Sequence, residues 1–268
     1  MKILFLGDVV GISGCSMIMR NLLDQIKINR IDFVIVNGEN ASDDGRGITQ
    51  EISEKFFKAG VDVITSGNHI WDKKETTDFI EKENRLLRPA NLVNGSPGRG
   101  YKVYYSKNEK FKVGVINLMG NVFMRKTEDV FQTAKEISNK MKLKKDVDFL
   151  VVDFHGEITS EKMAAGHFFD GQATCVVGTH THVPTADTRI LDGGTAYQTD
   201  IGMCGDYNSV IGMNKENSIK RFFKEKDAIG HFPAEGEGTL SGVIVETDIE
   251  TGLAKKITRL IHGGSLAN

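Results

Sequence analysis

Phe33-Val-Ile-Val-Asn-Gly-Glu-Asn40 is an apolar run that stops at a small residue and then presents a carboxylate and a carboxamide. Short runs rich in β-branched residues and closed by glycine predict buried strands. The pattern recurs outward in both directions. Lys2-Ile-Leu-Phe-Leu-Gly7 ends in Asp8, and Val61-Asp-Val-Ile-Thr-Ser-Gly67 ends in Asn68-His69. Phe149-Leu-Val-Val-Asp-Phe154 ends in His155, and Ala173-Thr-Cys-Val-Val-Gly178 ends in Thr179-His180-Thr181-His182. In open α/β sheets, ligands gather beyond the carboxyl ends of the strands. These five endings therefore aim an Asp, a Glu, two Asn and four His at one place.

Between the runs the pattern alternates strand and helix. After Asp8 a Gly/Ser loop is expected, then a helix over about Met17–Ile28. The glycine-rich loop Asp43–Gly47 precedes an amphipathic segment, Thr49–Phe57, with Thr49 as N-cap and Ile52, Phe56 and Phe57 facing inward. Helices are also predicted over Trp71–Glu83, over Glu128–Lys142 and from Thr159, the last with a Ser/Thr cap. Arg88–Gly100 holds two of the four prolines and reads as a loop lying over the site. Tyr101–Tyr105 and Lys112–Asn117 resemble a hairpin, and the chain ends in two strand-like runs, Gly238–Thr247 and Ala254–Ile261. Alternation early and consecutive strands late predict an α/β fold with a mixed sheet, or two sheets packed together. Residues 1–268 are expected to form a single domain, with room for a small helical lobe within about 70–145.

Composition narrows the function classes. A net charge of −2 creates no global field for a nucleic-acid backbone, so long DNA or RNA is not an expected partner. Lys140, Lys142, Lys144 and Lys145 lack interleaved aromatics and read as a solvated helix end. No apolar stretch approaches the roughly 20 residues of a membrane helix. The three cysteines, Cys15, Cys175 and Cys204, form no C-x-x-C pair, which fits a reducing cytoplasm.

Taken singly, each polar ending has an ordinary explanation. G-N-H occurs in turns, a loop Glu is usually solvated, and a lone His is usually a hydrogen-bonded core residue. Two His at i and i+2 on a strand do point the same way, and it is the combination that predicts metal binding. Oxygen and imidazole ligands without thiolate suit Fe, Mn, Zn or Co rather than Ca or a structural zinc. Seven or eight donors exceed one tetrahedral ion and suffice for two ions about 3.5–4 Å apart. Such ions repel by roughly 18 kcal/mol at an effective dielectric near 20, so a bridging anion is needed, from Glu39 or Asp8 together with a hydroxide. Two dications, two carboxylates and a hydroxide leave about one positive charge, which matches a phosphodiester monoanion.

At these residues the chain resembles the calcineurin-type metallophosphoesterases, and within them the YmdB-like group. The matching stretches are Gly7-Asp-Val-Val-Gly11, Asn37-Gly-Glu-Asn40, Gly67-Asn-His-Ile-Trp-Asp72, Asp153-Phe-His155, Thr159-Ser-Glu-Lys162, Gly178-Thr-His-Thr-His-Val183 and Thr199-Asp-Ile-Gly-Met203. The wider D-x-H start lacks its His, because Val10 stands there, and Asn40 takes the place of that imidazole. An Arg expected near Gly14-Cys15, and another at position 121 where Asn121 stands, are both absent.

The resemblance implies a four-layer α/β/β/α sandwich, two mixed β-sheets flanked by helices. It implies that Asp8, Glu39, Asn40 and His182 hold a first metal, that Glu39, Asn68, His155 and His180 hold a second, and that His69 is the acid. Iron or manganese would be the leading metal, with zinc the alternative. The implied reaction is hydrolysis of a small phosphodiester, a 2′,3′-cyclic nucleotide before 3′,5′-cyclic AMP, by bridging hydroxide with a His general acid. A 5′-nucleotidase or other phosphomonoesterase would use the same site, and a nucleotide-binding regulatory protein is a reading of another class. A homo-oligomer stays open.

Overall fold

Apolar residues on both faces of a strand demand cover on both faces, and the central strands here are buried along their length. The computed structural model describes residues 1–107 and 109–266. In chain order its elements are β1 (Lys2–Leu6), β2 (Asp8–Val9), α1 (Gly11–Asn29), β3 (Phe33–Asn37), α2 (Gln50–Lys58), β4 (Val63–Thr65), α3 (Thr76–Phe79), β5 (Tyr101–Tyr105), β6 (Lys112–Met119) and α4 (Val130–Lys140). There follow β7 (Phe149–His155), α5 (Thr159–Phe168), β8 (Cys175–Thr179), β9 (Arg189–Ile190), β10 (Ala196–Gln198), β11 (Met203–Asp206), α6 (Lys215–Phe222), β12 (Gly238–Thr247) and β13 (Ala254–His262).

The first sheet runs β2-β11-β12-β1-β3-β4, with β13 paired to β12. The second runs β5-β6-β7-β8-β10-β9. Both are mixed. β1, β3 and β4 are parallel to one another while β12 is antiparallel to β1. β6, β7, β8 and β10 are parallel, with β5 and β9 antiparallel at the edges.

The two-residue period of a strand sorts side chains into layers. Ile3, Phe5, Phe33, Ile35 and Val63 meet Val113, Val115, Phe149, Val151 and Val177 between the sheets. Leu4, Leu6, Val34, Val36 and Ile64 turn the other way, onto Ile18 and Leu22 of α1 and Phe56 of α2. On the far side, Ile116, Leu150, Val152 and Val176 pack under Val130 and Ala134 of α4 and Ala165 of α5. The result is the expected α/β/β/α sandwich. The stretch 70–145, where a small helical lobe is expected, gives β5 and β6 to the second sheet and α4 to its outer face.

Local expectations fare unevenly. Thr49 caps α2 by accepting from the Ile52 N–H, and the final hairpin of β12 and β13 forms as read. The stretch after Asp8 is not a loop, because α1 begins at Gly11. A Cβ on Gly14 would lie 2.2 Å from the Cys204 carbonyl oxygen, so glycine lets this helix start press onto β11. Helix propensity costs about 1 kcal/mol per glycine, which tertiary packing overrides. Residues 71–83 form turns and the single-turn α3, not one continuous helix. Asp72 and Thr76 bond three residues back, and the side chains of Glu75 and Thr76 are spent on Gln50 N and the Ile48 carbonyl. The α5 cap is also corrected, since Thr159 is its first helical residue and Ile158 the N-cap, with no side-chain bond.

Candidate functional site

All five polar endings arrive at the carboxyl ends of β1, β3, β4, β7 and β8, where the two sheets meet. A polar stitch holds those ends together. Asp153 on β7 accepts from Asn37 on β3 (3.0 Å), Thr179 on β8 (2.8 Å) and the Thr65 hydroxyl on β4. Asn117 on β6 bonds both the N–H and C=O of Ser66 at 2.9 Å. Burial pushes the Asp153 carboxyl up to about 7.

The centre of the cluster is His155 Nε2. It lies 3.0 Å from Glu39 Oε1, 3.0 Å from Asn68 Oδ1 and 3.1 Å from His180 Nδ1. One ring nitrogen carries at most one N–H and cannot serve all of them. Four donor atoms drawn to one point is the arrangement a cation collects, and Glu39, His155 and His180 form a group able to hold a metal ion. Only glycine fits at position 67, where a Cβ would stand 2.2 Å from the His155 ring and 2.4 Å from Glu39 Oε2.

A second cluster lies beside the first. Among the described residues three buried side-chain atoms have no hydrogen-bond partner, and two of them are Asp8 Oδ1 and Asn40 Oδ1. Asp8 Oδ2 accepts from His180 N (3.1 Å), and Asn40 Nδ2 donates to the Gly45 carbonyl (2.9 Å), so each side chain is oriented while its Oδ1 is left without a hydrogen bond. A buried orphan oxygen is costly, and a cation relieves both. His182 is held by Nδ1 against the Ile211 carbonyl (2.8 Å). These residues fit the two-ion centre.

Electrostatics follow from this crowding. Burial alone would raise the Glu39 carboxyl, but the His155 ring, with His69 and His180, holds it at about 2. Burial raises Asp8, opposed by His182 and His155. Burial would lower His155, yet Glu39 and Asp8 carry it up to about 9. Burial and the neighbouring His155 push His180 down to about 3, a neutral ring. Neutral imidazole is the form that ligates.

His69 stands apart from this convergence. Its backbone N–H donates to Glu39 Oε2 (3.1 Å), its Nδ1 lies 2.7 Å from Asp72 Oδ2, and Asp72 in turn meets Arg125 at 3.2 Å. His69 lines a cleft of about 350 Å³ with Glu39, Asn40, His180 and His182, and Ile211, Met213 and His231 complete its wall. The loop Arg88–Gly100, expected over the site, does not line it. Arg88 instead bonds the carbonyls of Pro89, Ser96 and Pro97 within its own loop.

Comparison with known proteins gives the family. A family model for YmdB-like proteins matches residues 4–260. This chain belongs to the YmdB-like family. It is 45% identical over 262 residues to a Bacillus subtilis YmdB-like relative called 2′,3′-cyclic-nucleotide 2′-phosphodiesterase, covering 97% of each. The crystal structure of a Mycoplasma pneumoniae phosphatase superposes with a TM-score of 0.89 at 38% identity, over 98% of this chain and 94% of that one. A Candida albicans 5′-nucleotidase shares the fold alone, with a TM-score of 0.57 at 14% identity, 97% of this chain against 51% of that one.

In this YmdB-like chain the sequence reading missed Glu157 and gave no role to several residues inside the quoted stretches. Glu157 contacts His180 Nε2 at 3.1 Å, and Asp153, Asn37 and Thr65 stitch the sheets. For Asn37 and Thr65 the signal was a polar residue closing an apolar strand, and for Asp153 a carboxylate inside one. The two His of His180-Thr-His182 do not project from a strand. β8 ends at Thr179, and both histidines take positive φ, 98° and 66°. Asn121 caps its own loop, donating to Thr127 and the Glu128 carbonyl and accepting from Val130 N–H. Among the described residues no helix is long and apolar enough to cross a membrane.

Proposed function

We propose that this chain is a metal-dependent phosphodiesterase that opens 2′,3′-cyclic nucleotides. The reading is carried by the orphaned oxygens of Asp8 and Asn40 lying beside the convergence on His155 Nε2. The near full-length similarity to a relative of that name supports the substrate class. Asp8, Glu39, Asn40 and His182 would hold one ion, and Glu39, Asn68, His155 and His180 the other, with Glu39 shared. Iron or manganese suits this oxygen-imidazole set, zinc less so. When bound, such ions acidify water and neutralise phosphate charge.

The protein's own groups then supply the rest. Water attacks phosphorus in line, the bond from phosphorus to O2′ breaks, and the departing alkoxide needs a proton. His69 delivers it from Nε2, because Nδ1 is engaged by Asp72. Arg125 holds Asp72 and so the ring plane. The cleft accommodates a nucleotide-sized ligand, and the net charge of −2 disfavours a long polyanion.

A substrate panel tests the proposal. Purified protein with Mn²⁺ should hydrolyse 2′,3′-cyclic AMP fastest, 3′,5′-cyclic AMP more slowly and AMP least. Preference for the nucleoside 5′-monophosphate would replace this reading with a phosphomonoesterase, and absence of turnover would leave a nucleotide-binding protein.

A further inference from the structure

Two stretches that take no part in the reaction, Thr159-Ser-Glu-Lys162 and Thr199-Asp-Ile-Gly-Met203, meet next to the histidine loop. Glu161 accepts from Asn121 N at 2.9 Å, and its neighbour Lys162 reaches the other way. Lys162 Nζ stands 2.7 Å from Asp200 Oδ2, and each side chain is 1% exposed. Gly178 leaves space for the lysine stem, since a Cβ there would lie 2.8 Å from Lys162 Cδ. The same Asp200 oxygen accepts from Thr181 N (3.1 Å) and Thr181 Oγ1 (2.7 Å), and Asp200 Oδ1 accepts from Gly202 N (2.8 Å).

Thr181 is flanked by His180 and His182, whose φ values of 98° and 66° are costly for residues with a side chain. Such conformations persist only where the surroundings over-determine them. Between the two histidines, a buried carboxylate anchored by a buried ammonium grips Thr181 at two points. We propose that Asp200, held by Lys162, is a positioning residue. Through Thr181 it fixes the left-handed backbone that turns His180 toward one ion and His182 toward the other. The inference rests on the ligand assignment proposed above.

The test measures Mn²⁺ affinity and stoichiometry by equilibrium dialysis, alongside thermal unfolding of metal-stripped protein. Thr181→Val keeps the side-chain shape and removes the hydroxyl donor. It should weaken Mn²⁺ binding at both positions by about 10–100-fold while the stripped protein melts close to wild type. Thr181→Ser should restore affinity. Thr181→Ala removes the same donor, should weaken binding as much, and carries the comparison with Thr181→Ser if Thr181→Val fails to fold. Wild-type affinity in Thr181→Val overturns the proposal, as does a loss of stripped-protein stability that tracks the affinity loss. Wild-type protein that holds two Mn²⁺ ions but hydrolyses no cyclic nucleotide overturns the function and leaves this inference standing. Wild-type protein that holds fewer than two overturns the ligand assignment and this inference together.

Discussion

Asp72 Oδ2 lies 2.7 Å from His69 Nδ1, which leaves Nε2 as the ring nitrogen for a leaving group. An alkoxide leaves poorly without a proton, whereas nitrophenolate leaves unaided. His69→Ala should therefore lower kcat/KM for 2′,3′-cyclic AMP by about 10²–10⁴ and barely affect a bis-nitrophenyl phosphate. Asp72→Asn should fall between that variant and wild type. Equal losses on both substrates would make His69 a structural residue or a ligand instead of the acid.

Glu39 Oε1 lies 3.0 Å from His155 Nε2, and its other oxygen accepts from the His69 N–H. Its removal takes away the anion expected between two dications. Metal analysis of Glu39→Ala should find both ions lost, against about two per chain in wild type. One tightly held zinc surviving the change would sink the shared-ligand arrangement.

Gly67 has no space for a side chain. A methyl group would sit 2.2 Å from His155 and 2.4 Å from Glu39, forcing the two apart. Gly67→Ala should cost about 1–3 kcal/mol in denaturant unfolding and abolish metal retention. Gly230→Ala, where a Cβ meets nothing within 4 Å, is the control and should match wild type. Equal behaviour of the two variants would contradict the packing described.

The three thiols are held protonated by burial, with Cys15, Cys175 and Cys204 each pushed up to about 12. Thiolate is the nucleophile in exchange with aromatic disulfides. Native protein should react slowly with such a reagent, and all three thiols should titrate at once in denaturant. Rapid labelling of one thiol in the folded protein would mean that Cys15, the least enclosed, opens readily.

How much of this was legible follows residue by residue. The runs ending at Asp8, Glu39, His155 and His182 are legible because a strand buried on both faces is apolar along most of its length, so polar residues gather where it exits. Thr49 is legible because capping is local. Gly11–Gly14 is not, because its helix depends on contact with Cys204, nearly two hundred residues away in the chain. Nor is the fate of 71–83, where side chains that could sustain a helix are engaged by Ile48 and Gln50.

By itself the sequence determined the inventory: buried strands alternating with helices, the donor types at their ends, and a ligand chemistry without sulfur. Periodicity and residue chemistry are properties of the chain, and they survive without knowing what packs where. Only the tertiary structure decided which donors share a point. His155 Nε2 collects Glu39, Asn68 and His180 because β3, β4, β7 and β8 finish at one edge, stitched by Asp153. It also decided that His180 and His182 turn inward from left-handed backbone instead of a strand, a conformation fixed from Asp200 and invisible in the spacing of two histidines.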